Sequence, residues 1–112
     1  MWLFTETGFI SAVRTTPGSS LLRVRGRDRQ SLEDLAVSAG VGIDHSPTRD
    51  YPYRVEVTTE QLNTWLLDQT EQLDYTNFKS RVHETRGHEF AGALTRVWSV
   101  MHEVEDAESR SR

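Results

Sequence analysis

The chain has 112 residues, 36% hydrophobic and 27% charged, with three Trp, three Tyr, four Phe and a formal net charge of −4 at pH 7. That length leaves room for one core, so a single domain over residues 1–105 is expected with a disordered polar tail at 106–112, and the aromatic content excludes global disorder. Cysteine is absent, which excludes disulfides, thiolate metal sites and a thiol nucleophile, and neither a secretory leader nor a membrane span is recognisable, so a soluble cytoplasmic protein is expected.

The first thirty residues read as sheet. Trp2 to Thr5 is a short strand, Gly8 marks a hairpin turn or a bulge, and Phe9, Ser11, Val13 alternate with Ile10, Ala12, Arg14. Thr16-Pro17-Gly18-Ser19 supplies turn chemistry, after which Leu22 and Val24 point to the core while Leu21, Arg23, Arg25 and Arg27 point to solvent. Trp2, Phe4 and Phe9 read as core.

Asp28 is placed to cap a first helix whose apolar side is Leu32, Leu35, Ala36 and Ala39, and Gly40 is placed to end it. Residues 41–52 read as an exposed loop. Tyr53-Arg54-Val55-Glu56-Val57 alternates as a fourth strand with Tyr53, Val55 and Val57 inward. Thr58 and Gln61 form a capping-box pattern that opens a second helix with Leu62, Trp65, Leu66 and Leu73 on its apolar face. Asn77 caps a third helix running to about Arg86, and Gly87 separates it from a last helix patterned by Phe90, Leu94, Val97, Met101 and Val104. Trp98 lies beside that stripe and reads either as a widening of the core face, which is favoured, or as an exposed anchor for another chain.

The chemistry-bearing residues are sparse. His83 and His88 are separated by five positions across Gly87, which on a continuous helix turns the rings about 140° apart; they share one metal only if the chain breaks between them, with Glu89 as a further ligand. No serine sits in a nucleophile elbow and no glycine-rich phosphate loop is present, so no catalytic, cofactor-binding or metal-ligating residue is assigned. Arg23, Arg25 and Arg27 share one side of a strand, and Arg14 on the paired strand is placed to join them in a basic strip suited to phosphate or carboxylate. Tyr51, Tyr53, Tyr75, Asn77 and Lys79 gather polar-tipped aromatics and a helix cap near element boundaries, and complete the candidate binding surface. The plain structural alternative for both groups is a solvated, ion-paired sheet face and the edge of a core. Residues 1–54 hold seven arginines against six acids, residues 55–112 six basic residues against eleven acids.

Met1-Trp2-Leu3-Phe4-Thr5 with Gly8-Phe9, then Tyr51-Pro52-Tyr53-Arg54, Leu73-Asp74-Tyr75-Thr76-Asn77-Phe78-Lys79 and Val97-Trp98-Ser99-Val100-Met101-His102, resembles a family of small uncharacterised bacterial proteins. The resemblance implies a single domain and carries no activity, ligand or catalytic residue. The stretch Ser38 to Pro47 departs from it in being shorter and richer in Gly.

The resulting expectation is an α+β fold in the order β-β-β-α-β-α-α-α, an antiparallel sheet of about four strands with helices mainly on one face, resembling a ferredoxin-like core with extra C-terminal helices. Missing catalytic constellations point to a non-enzymatic protein-interaction or accessory module with an unknown protein partner and no cofactor. The alternative is a weak nucleic-acid or phosphate binder using Arg14, Arg23, Arg25 and Arg27, against which the net charge argues. A metal-dependent enzyme ranks third.

Overall fold

The computed structural model describes residues 1–110 and has the elements β1 (Trp2–Thr5), β2 (Gly8–Arg14), β3 (Leu21–Gly26), α1 (Gln30–Ala39), β4 (Asp44–His45), β5 (Tyr53–Thr58), α2 (Thr59–Glu71), α3 (Phe78–Arg86) and α4 (His88–Arg110). It is an α+β protein, and the chain divides into two compact units, Met1–Asp74 and the segment from Tyr75 onward.

The sheet has five strands rather than four, in the order β1-β2-β3-β5-β4, with every neighbouring pair antiparallel. The added strand, β4, lies in the stretch expected to be loop, where Asp44 pairs with Arg54 and His45 with Tyr53. A ferredoxin-like core begins β-α-β and is absent here, because two tight turns complete a three-stranded meander before the first helix. Thr5 pairs with Gly8 across a two-residue turn, which settles Gly8 as the end of a hairpin. In the second turn Ser19 N donates to Thr16 O at 3.0 Å, and Gly18 takes φ 81°, the positive angle that position i+2 of a type II turn requires.

The helix-facing side of the sheet carries Ile10, Ala12, Val24, Val55 and Val57, all buried, with Leu32, Leu35 and Ala36 of α1 and Leu62 and Trp65 of α2 closing over them. The first helix has Arg29 at its N-cap position, one residue past the expected Asp28, but the Asp28 carboxylate still serves the helix start: Asp28 Oδ1 accepts from Ser31 N at 3.2 Å, and Ser31 Oγ accepts from Phe9 N at 3.2 Å, tying the helix start to β2. It ends in a Schellman motif, with Val41 N donating to Ala36 O at 3.0 Å, Gly40 N to Val37 O at 3.2 Å, and Gly40 left-handed at φ 68°. The capping box forms in full: Gln61 N donates to Thr58 Oγ1 at 3.2 Å and Thr58 N to Gln61 Oε1 at 2.8 Å. Gln61 Nε2 also donates to Ala39 O at 3.2 Å, joining the two helices. Leu73 falls beyond the end of α2 and is exposed.

In the second unit Asn77 Oδ1 accepts from Ser80 N at 2.9 Å and caps α3, and Gly87 separates α3 from α4. Val82, Ala91 and Leu94 are the buried residues of this helix pair. The core face of α4 therefore stops at Leu94. Val97, Met101 and Val104, expected to continue it, are exposed, as is every residue from Thr95 to Arg110. Of the tail expected to be disordered over 106–112, residues 106–110 continue α4, with Ala107, Glu108 and Arg110 favouring the helix and the Arg110 charge suiting its negative end; residues 111 and 112 lie outside the described residues. No described helix is long and apolar enough to cross a membrane.

Candidate functional site

The outer side of the sheet is built in cross-strand rows. One row runs Trp2, Ser11, Arg25, Arg54, Asp44 across all five strands, and a second runs Val13, Arg23, Glu56. Strand pairing places directly opposed residues on one face, so Arg14, which pairs with Leu22, lies on the helix-facing side and does not join the basic strip. Its Nη1 donates to Thr59 Oγ1 at 3.2 Å instead.

Each remaining strip residue has a partner. Arg23 pairs with Glu56 at 3.2 Å. Arg25 Nη2 donates to Ser11 Oγ at 2.9 Å, which accounts for a buried serine on the outer face. Arg27 Nη1 donates to Asp50 O at 2.8 Å and pairs with Asp50 Oδ1 at 3.1 Å. Arg25 and Arg27 both lie against the Tyr51 ring, with guanidinium carbons 4.5 and 4.4 Å from its centroid, and Tyr51 is 4% exposed. The loop tyrosine is thus a structural clamp for the strip. Tyr53 is held in a second stack, parallel to the His45 ring at 4.4 Å and beside Arg29 at 5.6 Å.

Two arginines that the strip did not include lie beside it, and Arg54 Nε donates to Tyr51 O at 3.4 Å. Arg49 and Arg54 line an open depression of about 550 Å³ together with Arg23, Asp44 and Glu56. Partial burial holds the Arg54 guanidinium below its ordinary pKa, and the positive charges of Arg49, Arg23 and Arg25 act in the same direction, with Asp44 opposing them. Arg54 was findable in the sequence: if Tyr53, Val55 and Val57 face inward, Arg54 and Glu56 must face outward. Arg49 sits in a loop, where no periodicity marks it.

Beside these arginines the outer face carries aromatics expected in the core. Trp2 is 69% exposed, its ring edge-on to Phe9 at 5.6 Å, and Phe9 stacks on Phe4 at 4.6 Å. The pleat is the reason: Leu3 pairs with Ile10 on the core side, which turns Trp2, Phe4 and Phe9 outward.

Tyr75, Asn77 and Lys79 belong to the second unit, apart in sequence and unit from Tyr51 and Tyr53. Arg81 lies over Tyr75 at 5.2 Å, Asn77 serves as the α3 cap, and Lys79 Nζ stands 4.3 Å from the Trp98 ring centre. Trp98 is 55% exposed, correcting its expected burial, and meets His102 edge-on at 4.8 Å. Helix α3 covers the opening turns of α4, and Lys79 in its first turn reaches only Trp98. Beyond that point Val100, Met101 and Val104 lie exposed on a helix that continues for about 18 Å from Ser99 to Arg110.

The break at Gly87 does bring the two imidazoles together, with His83 and His88 ring centres 5.6 Å apart on a groove of about 530 Å³ shared with Lys79, Glu84 and Thr95. Two nitrogen donors fall short of the three or four protein ligands of a zinc site, and the described residues contain no group of three or more His, Asp or Glu arranged for a metal. No family model, curated protein or solved structure matches the chain.

Proposed function

We propose that the protein is a non-enzymatic interaction or accessory module, bacterial as the sequence resemblance implies and cytoplasmic as its composition suggests, and that it works through the outer face of α4. One observation carries this reading: Val97, Trp98, Val100, Met101 and Val104 are exposed together on one long helix. Single exposed apolar residues are ordinary, but five within eight positions form a contiguous patch of the kind that marks contact with another macromolecule. The groove of an enzyme would place convergent polar groups in a concave apolar pocket; this surface is convex and apolar.

The test is affinity capture from the source organism at physiological salt, comparing the full chain with a Val100→Asp/Val104→Asp variant. The proposal expects one or more proteins recovered by the first and lost with the second. Identical recovery by both sets the α4 face aside.

A second reading, binding of phosphate or single-stranded nucleic acid, is supported by exposed Trp2 in the same cross-strand row as Arg25 and Arg54. Stacking surface next to guanidinium groups is what such ligands use. The pairing of Arg23 and Arg27 with acids limits the free charge and ranks it second.

A further inference from the structure

The apolar residues of α4 do more than form a patch. Ala93, Val97, Val100, Val104 and Ala107 follow one another at spacings of four, three, four and three, and all five are exposed. That alternation is the a/d seam of a two-helix coiled coil. At about 100° per residue it is centred roughly 130° from the buried pair Ala91 and Leu94 that faces α3, so it is a separate surface and not the fringe of the α3 contact.

The flanking charges name the occupant. Arg96 and Glu103 stand seven positions apart on the same edge of the seam, each one residue before an a position, and both are exposed. Residues in that position face each other when two helices pair antiparallel, whereas in a parallel pair they face the opposite edge. Here the opposite edge offers Met101 to Arg96 and Glu108 to Glu103, so parallel pairing sets acid against acid. Antiparallel pairing instead gives Arg96 of each copy a Glu103 of the other, twice by symmetry, in the register that sets Val97 against Val100 and Ala93 against Val104. A helix whose own sequence supplies both members of each pair is complementary to itself.

We infer that α4 pairs with α4 of a second copy of this chain, antiparallel, through the Ala93–Val104 seam, with Arg96 and Glu103 fixing direction and register. This rests on the reading of α4 as the interaction face and names its partner.

Sedimentation equilibrium of the full chain tests it. The expected result is a concentration-dependent dimer that Val100→Asp abolishes. Arg96→Glu and Glu103→Arg each weaken it by about tenfold, since each change breaks two ion pairs and creates two repulsions, and the combined Arg96→Glu/Glu103→Arg chain recovers the original affinity. Direction is read from nitroxide pairs, for which a chain without cysteine gives no background. With Ser99→Cys the two labels lie nearly level across the pair; with Asp106→Cys they are offset by about 20 Å along the helix axis, from 1.5 Å of rise per residue, and lie clearly farther apart. Equal short distances at both positions, or no recovery in the double swap, overturns the antiparallel pairing. A chain that stays monomeric overturns self-association altogether; if α4-dependent capture of other proteins then persists, the interaction reading stands without it, and if that capture is also absent, both fall.

Discussion

Arg25 and Arg54 stand directly opposite each other on β3 and β5, while the neighbouring pair, Arg23 and Glu56, is complementary. Like charges directly opposed on a sheet are unfavourable, and Arg54 is further crowded by Arg49 and by partial burial. Arg54→Gln is therefore expected to leave the folded state as stable or to raise it by a few tenths of a kcal/mol after solvent screening, measured by urea unfolding. If the depression at Arg49 and Arg54 holds phosphate, the same change lowers affinity for a single-stranded oligonucleotide at low salt, and no binding by the unaltered chain ends that reading. Side-chain parity along Tyr53–Val57 was enough to place Arg54 outward. The role of Tyr51 was hidden, because a loop residue clamped between Arg25 and Arg27 shows neither helical nor strand periodicity.

At the scale of elements, the chain reads well where local chemistry decides the outcome. Asp28, Gly40, the Thr58–Gln61 box and Asn77 each satisfy backbone groups within a few residues of themselves, and all four act as their identities require. The turn at Pro17-Gly18 belongs with them. The two-residue β4 was not readable, since Asp44 and His45 pair with β5 only after that strand is in place. The fate of the α4 stripe was not readable either, because a heptad seam and a core face have the same period. Stability separates them. Trp65, 2% exposed on the buried face of α2, is expected to cost about 3–5 kcal/mol on truncation to Ala. Val100→Asp/Val104→Asp is expected to change the stability of the dilute chain by less than about 1 kcal/mol, because both positions already face water. Thermal unfolding of the two variants side by side checks this, and a large loss in the second shows that the face is structural.

At the scale of the whole molecule, the charge asymmetry between sequence halves does not survive the division into units. Residues 1–74 hold seven basic residues and eleven acids, and residues 75–112 hold six of each. The first unit thus carries the net negative charge, with Arg23, Arg25 and Arg54 on the outer sheet face, and the second is balanced overall but unevenly charged along its length. Before the α4 seam's midpoint stand Lys79, Arg81, Arg86 and Arg96 against Glu84 and Glu89, and after it Glu103, Glu105, Asp106 and Glu108 against Arg110 and Arg112. A formally neutral unit whose two halves have opposite net sign suits antiparallel alignment of helices better than adhesion to a polyanion. Hydroxyl-radical footprinting of the dilute full chain is the most direct measure of the account: Trp98 and Met101 are predicted to oxidise at rates typical of freely exposed side chains while Trp65 is protected, and protection of Trp98 and Met101 in the dilute chain would contradict the claim that α4 presents its apolar face outward.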